Sequence, residues 1–313
     1  LPEDNYYTPW ISERSRAFID RAAETGDPFF LWASFPDPHP PYAVPEPWAS
    51  MYDPEEMEPG AITPGEHALN ASHFAKTQQV APDFADWHRP HEAHGCASHL
   101  YPRAALKKDM AVYYGMMSFM DREIGKILDR LDALGLTENT LIVFTTDHGH
   151  FLGQHGLVAK GPFHYEDMLR IPFAVRWPGK VRAGAVNSSI QTLLDLAPTM
   201  LDAAGVVPPP MQGLSQLEHW QGKAPPPRDH ALCENRHNPL APHVTSYIGA
   251  RFKISVYRTE EHGEIFDLET DPGEVNNLWT DPGSTRLRAT LLQKMVQAIR
   301  AAEPLKSPRV AQA

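Results

Sequence analysis

The sequence predicts an α/β protein, a doubly wound and mostly parallel sheet with a small antiparallel α+β subdomain at its C-terminal end. Three observations carry this. Short apolar runs without polar alternation recur, each preceded by a segment of helical period, which is the grammar of strands buried on both faces by crossover helices. Polar, chemistry-bearing residues follow directly after the carboxyl ends of two of these runs, where open parallel sheets place their ligands. Beyond about residue 228 the runs become short and alternating and are joined by tight turns, the pattern of a half-buried antiparallel sheet.

The elements follow in order. Thr8 is a candidate N-cap with Pro9 at the first helical position, Ile11, Phe18, Ile19 and Ala22 give the apolar face, and Gly26 stops the helix. Pro28 to Phe35 is an apolar run ending in the loop Pro36-Asp-Pro-His-Pro-Pro41, and reads as a buried strand. Residues 36–104 show little periodicity and hold many of the prolines, as expected of a functional insertion along one rim. Met110, Tyr113, Tyr114, Met117, Met120, Ile124, Ile127, Leu128, Leu131 and Leu134 recur at helical steps up to Gly135. Thr140 to Thr146 is a β-branched strand, Ile171 to Trp177 another, and a helix spans about Gln191 to Ala204. Strands over Thr245–Ala250, Phe252–Tyr257 and Glu264–Leu268 precede a closing helix from about Thr285 to Ala302. The predicted organisation is therefore residues 1–227 as the α/β part and 228–313 as the small α+β subdomain.

Composition bounds the function. The 313 residues are 42% hydrophobic and 21% charged, which excludes disorder of the whole chain. The net charge of −11 argues against a nucleic-acid partner, which selects a basic face. No stretch approaches the roughly 20 apolar residues of a membrane span. Cys96 and Cys233 cannot build a disulfide framework and leave the compartment open. The 31 prolines are about twice the average share.

Two strand ends carry candidate ligands: Asp37 and His39 after the first, Asp147 and His148 after the second. A carboxylate beside an imidazole suits a divalent metal, although two ligands do not close a site. Alone, Asp-His-Gly is a weak signal that also fits a turn cap beside a surface histidine. Its surroundings are specific. Phe144-Thr-Thr-Asp-His-Gly-His-Phe-Leu-Gly-Gln-His-Gly-Leu-Val-Ala-Lys160 and the residues on to Gly179 resemble the sulfatase family of the alkaline phosphatase superfamily. Phe29 to Pro41, Asp195 to Gly205 and Glu264 to Leu278 resemble further elements of that family, in its order, so the resemblance runs from about residue 6 to 300.

The resemblance implies an alkaline-phosphatase-like fold and hydrolysis of a small-molecule or glycan sulfate ester. Asp147 and His148 match two ligands of a divalent metal, by family habit calcium, with manganese the alternative. Lys160 matches the lysine that contacts the sulfate and the bridging oxygen. His39 matches the histidine that contacts the sulfate or protonates the leaving group. These roles suit the chemistry: charge that spreads over sulfate oxygens is stabilised by a metal and an ammonium, and an imidazole is a suitable proton donor to an alcohol. His150 and Gln154 stand where relatives often carry Glu and Asp. The family's Cys/Ser-x-Pro-x-Arg element, whose Cys or Ser becomes the formylglycine nucleophile, does not occur in these 313 residues; neither Cys96 nor Cys233 has that context. The expectation is that this element and the early metal ligands lie in a segment N-terminal to Leu1, along with any signal peptide, and that residues 1–313 alone are catalytically silent. A degenerate, non-catalytic relative that binds sulfated ligands is the rival from another class, and a phosphonate monoester or phosphodiester hydrolase the rival within the superfamily.

Arg236 and His243, at the opening of the C-terminal subdomain, are further candidates for contact with an anionic substrate, since a guanidinium forks onto sulfate-like oxygens. His88, His91, His94 and His99 with Cys96 lack any standard zinc spacing and read as a loop. Trp10, Trp32 and Trp87 read as packing residues.

Overall fold

A computed structural model describes residues 2–79, 101–236, 243–258 and 261–303. Trp87, His88, His91, His94, Cys96 and His99 lie outside the described residues. In chain order the helices are α1 (Tyr7–Thr25), α2 (Ser72–Lys76), α3 (Arg103–Ala133), α4 (Glu166–Leu169), α5 (Leu196–Ala203), α6 (Leu217–Trp220) and α7 (Thr285–Ala301). The strands are β1 (Ile142–Thr145), β2 (Phe151–Leu152), β3 (Val158–Ala159), β4 (Phe173–Arg176), β5 (His230–Asn235), β6 (Val244–Gly249), β7 (Phe252–Tyr257) and β8 (Gly263–Asp267). They divide between two compact units, one of residues 1–60, 101–142 and 177–179, the other of residues 61–100, 143–176 and 180–313. The C-terminal sheet thus shares its unit with much of the chain before residue 228.

In the first unit α1 and α3 pack together. Ile19, Ile127 and Leu131 are buried, and the Ser12 hydroxyl donates to the Glu123 carbonyl at 3.0 Å. Gly26 ends α1 in the left-handed region, at φ 72°, with its N–H on the Ala22 carbonyl, a conformation that costs glycine little. Tyr6 rather than Thr8 occupies the N-cap position, and the Thr8 hydroxyl donates instead to the buried Asp37 carboxylate. The stripe on α3 is shifted from the expected one: Met116, Phe119 and Glu123 are buried while Met117 is exposed. Trp48 is the reason, stacking against Phe119 at 5.5 Å and turning that side of the helix inward.

Residues 28–35 correct an expectation. They are extended but form no ladder, and exposure alternates along them. Phe29, Leu31, Ala33 and Phe35 pack against the α1–α3 cluster, whereas Phe30 and Trp32 are 69% and 79% exposed. The run is apolar enough for a strand covered on both faces, but among the described residues only one face is covered.

In the second unit β1 pairs with β4, and β2 with β3 forms a small antiparallel hairpin. The C-terminal sheet is antiparallel, in the order β5-β6-β7-β8. The register Tyr247↔Ile254↔Ile265 aims apolar residues at Leu291, Met295 and Ala298 of α7. The opposite face is buried too, against a cluster that includes Phe74, Phe151, Phe163 and Tyr165. The sheet expected to be half-buried is therefore buried on both faces, and the polar residues of β7, Lys253 and Ser255, lie inside.

Candidate active site

Asp147, His148 and Lys160 are brought together in the second unit. Asp147 and His148 follow β1, and Lys160 follows β3. The Asp147 side chain is 83% exposed; its Oδ1 accepts the His148 backbone N–H at 3.0 Å and its Oδ2 lies 3.4 Å from His148 Nε2. His148 Nδ1 sits 2.7 Å from the Gly149 carbonyl, so it carries the proton and donates there. The lone pair on Nε2 is then free to accept, and Lys160 Nζ stands 3.2 Å away as donor. An imidazole lone pair, a carboxylate oxygen and an ammonium therefore converge on one open spot. A nitrogen and an oxygen donor at that spacing fit half of a divalent-metal shell. Among the described residues no group of three or more His, Cys, Asp or Glu gathers to complete it.

Gly149 holds this loop in place for a reason of packing. Its N–H donates to the Met168 carbonyl at 2.8 Å, and a Cβ built there would stand 1.8 Å from the Asp167 carbonyl oxygen. Gly149→Ala is expected to push the Asp147–His148 loop away from residues 167–168 and to cost about 1–3 kcal/mol, the usual range for overpacking. Chemical denaturation, together with NMR shifts of the His148 ring, checks it; unchanged stability and shifts would refute it.

The turn before Lys160 rests on residues that sequence did not single out. His155 is buried, in the left-handed region at φ 57°, with its ring stacked on Tyr165 at 3.6 Å. Its Nδ1 is 3.0 Å from Glu66 Oε1 and its Nε2 3.5 Å from Asp167 Oδ2. Burial works against its charge, but the bonds to Asp167 and Glu66 outweigh it and lift its pKa to about 9. The His155 carbonyl is 2.8 Å from His67 Nε2. Gln154 turns back onto its own loop, its side-chain oxygen accepting the Leu152 N–H at 2.6 Å. Glu66 and His155 lie 89 positions apart, so no local spacing could have linked them.

His39 belongs to the first unit. It is exposed, with Nδ1 2.7 Å from the Pro40 carbonyl. Asp37, its neighbour on the loop, accepts hydroxyls from Tyr6 at 3.0 Å, Tyr7 at 2.7 Å and Thr8. That carboxylate is taken up in holding the loop and is not a spare metal ligand. Arg236 and His243 lie in the second unit, just beyond β5 and just before β6. Arg236 pairs with Glu234 at 3.0 Å.

The sulfatase family model matches residues 2–206, and the model of the N-sulphoglucosamine sulphohydrolase C-terminal region matches residues 153–301. An arylsulfatase of Clostridium perfringens is 30% identical over 275 residues, 86% of this chain and 53% of the relative, so the chain spans about half of that protein. The phosphonate monoester hydrolase SpPMH of Silicibacter pomeroyi superposes with a TM-score of 0.82 at 25% identity, over 97% of this chain and 62% of that one. The structure of BT4656 in complex with its substrate D-glucosamine-2-N,6-O-disulfate superposes with a TM-score of 0.60 at 29% identity, over 64% and 42% of the two chains. The model shared across 205 of 313 residues and the fold shared with these hydrolases lead to one conclusion: the chain belongs to the sulfatase family of the alkaline phosphatase superfamily, with the alkaline-phosphatase-like α/β fold.

Proposed function

We propose that this chain supplies part of the active site of a sulfatase that hydrolyses the sulfate ester of a small molecule or glycan. The observation that carries the proposal is the convergence of Lys160 Nζ and Asp147 Oδ2 on His148 Nε2, at 3.2 and 3.4 Å. A divalent cation, calcium or alternatively manganese, held by Asp147 and His148 would supply Lewis acidity toward the sulfate oxygens. Lys160 puts a fixed ammonium beside the same oxygens, where charge grows as the ester bond breaks. His148 is kept in the tautomer that leaves Nε2 free by its bond to the Gly149 carbonyl. The family resemblance alone gives His39 the role of proton donor to the departing alcohol. The nucleophile, by family habit a formylglycine, is not encoded in the described sequence. The substrate of the BT4656 neighbour, a sulfated sugar, supports a sulfated glycan fragment as the substrate class.

A second reading has its own observation. The structural match to a phosphonate monoester hydrolase extends over 97% of this chain, so a phosphonate or phosphodiester substrate is the competing proposal. The complete product of the gene is to be assayed with the sulfate, phosphonate and phosphodiester esters of one aryl alcohol. Sulfate turnover is expected, and Lys160→Ala is expected to lower kcat by about 100- to 1000-fold, the effect of removing one fixed donor to a developing anion. Phosphonate turnover without sulfate turnover would overturn the sulfatase reading. Retention of full sulfate turnover by the Lys160 variant would overturn the role given to it.

A further inference from the structure

The end of the C-terminal sheet brings three cationic or protonatable side chains into one row. Asn235 of β5 pairs with Val244 of β6, and Val244 with Tyr257 of β7. Arg236, His243 and Arg258 each stand one residue beyond these three level positions. The Arg258 N–H donates to the His243 carbonyl at 2.9 Å, which carries the row one step past the formal ladder. At about 4.8 Å between neighbouring strands, the two arginines flank His243 about 10 Å apart. An open cavity of about 260 Å³ is lined by these three residues together with Thr245, Val256 and Tyr257.

The charges in the row are not equivalent. Arg236 is met by Glu234, at 3.0 and 3.2 Å, and Glu234 also accepts from the Thr245 hydroxyl at 3.5 Å. Arg258 is exposed and has no carboxylate partner among the described residues. A cationic cavity whose outer guanidinium is not neutralised selects an anion, and the planar fork of arginine favours sulfate or carboxylate. The strand ends that carry the row are tied to the segment that follows the candidate catalytic lysine. The Asn235 side-chain amide donates to the Gly161 carbonyl at 3.4 Å, so the residue before Arg236 is bonded to the residue after Lys160. His164, four residues beyond Lys160, holds the Ser246 hydroxyl of β6 at 2.7 Å.

We propose that Arg258, together with His243 and Arg236, forms a second anion subsite, which binds a sulfate or carboxylate carried elsewhere on the same substrate molecule whose scissile sulfate lies at Lys160. This rests on the sulfatase reading for its account of the first anion and adds that the substrate is at least dianionic. Sequence reading reached Arg236 and His243 but not Arg258, which joins them only through the β6–β7 register.

The test uses the complete gene product and two probes, a monosulfated hexosamine and the same sugar with a second sulfate. Calorimetric titration is expected to show about tenfold tighter binding of the disulfated sugar, the size of one charge-assisted hydrogen-bonded contact. In Arg258→Ala the ratio of the two affinities is expected to fall close to one, and in Arg258→Lys to recover partly, with the salt dependence of the ratio falling in parallel. Equal weakening of both probes in Arg258→Ala, or no preference in the unsubstituted protein, would overturn the subsite. A preference that depends on Arg258 in a protein without sulfate turnover would support the subsite and overturn the sulfatase reading, so the two failures are distinct.

Discussion

Lys253→Ala is expected to destabilise the unit that holds the C-terminal sheet by about 3–5 kcal/mol, the cost of leaving a buried charge without its partner. Lys253 points inward from β7 and is 0% exposed. Its ammonium makes a close ion pair with Glu274 and lies 3.4 Å from Glu166. Glu274 is itself buried, and its other oxygen accepts the Glu166 backbone N–H at 2.5 Å. Burial pushes the Glu274 carboxyl up, and the Lys253 charge holds it back. Nearby Glu264, also buried, is raised by burial to about 8 although the Tyr257 hydroxyl donates to it. Removing the one ammonium therefore leaves a buried carboxylate to shed its charge or unfold its surroundings. The double variant Lys253→Met with Glu274→Gln removes both charges and is expected to recover most of the loss, since an apolar replacement of a buried pair is often neutral. Urea midpoints of the single and double variants decide it. A loss below about 1 kcal/mol for Lys253→Ala would mean that water reaches the pair. Glu166 opens α4, six residues after Lys160, so this pair also fixes the far end of the segment that carries the candidate catalytic lysine.

What could be read in the sequence, and what could not, divides by the range of the interaction concerned. Gly26 and Gly135 mark helix ends by a local conformational rule, and both stand in the left-handed region where helices stop. Asp147, His148 and Lys160 fall within 14 consecutive residues, which the family resemblance picked out as candidates where spacing alone did not, and the short β2–β3 hairpin folds them back on one another. β5 was not legible. His230 to Asn235 follows a proline run and mixes polar with apolar residues, and it becomes a strand because β6 offers it a full ladder. Residues 28–35 failed in the opposite sense: apolarity marked an extended segment, but burial depends on a neighbour that the run itself does not specify. In the sequence Lys253 alternates with the apolar Phe252 and Ile254, the place of a solvent-facing residue. It lies inside because Glu166 and Glu274, 87 positions before it and 21 after it, are carried there by other elements. The division between Lys160, found from sequence, and Arg258, found only from register, has the same origin.

Acid is expected to unfold this unit through two histidines that are buried neutral. His73 is packed among Phe74, Phe163 and Tyr257, with ring centroids at 4.6, 5.4 and 5.0 Å. His164 is buried, with its Nδ1 on Ser246 Oγ and the Lys253 charge nearby. Burial drives both down to about 3 from an ordinary 6.5. The unfolded chain then binds protons that the folded chain refuses. Their contribution is fully present above pH 6.5 and is lost as pH falls from 6.5 toward 3. At 1.36 kcal/mol per pKa unit, each costs about 2 kcal/mol by pH 5 and about 3.4 by pH 4, and two together approach the whole stability of an ordinary domain. The alkaline side has its own sign. His155, raised to about 9, stabilises fully below pH 6.5 and loses that contribution as pH rises through 9, and Glu264, raised to about 8, loses its own above pH 4.5 and up through 8. Stability should therefore peak near pH 6.5. It should fall with a slope of about one proton toward pH 4.5, where Glu264 offsets one histidine, with about two protons below that, and with about two protons toward pH 8. Denaturant titrations from pH 4 to 9 test the shape. His164→Gln keeps a hydrogen-bonding partner for Ser246 while removing the titration, and His73→Phe suits the aromatic surroundings. Each is expected to reduce the acid slope by about one proton, or 1.4 kcal/mol per pH unit. An acid slope that neither substitution changes would show that water already reaches these rings in the folded protein.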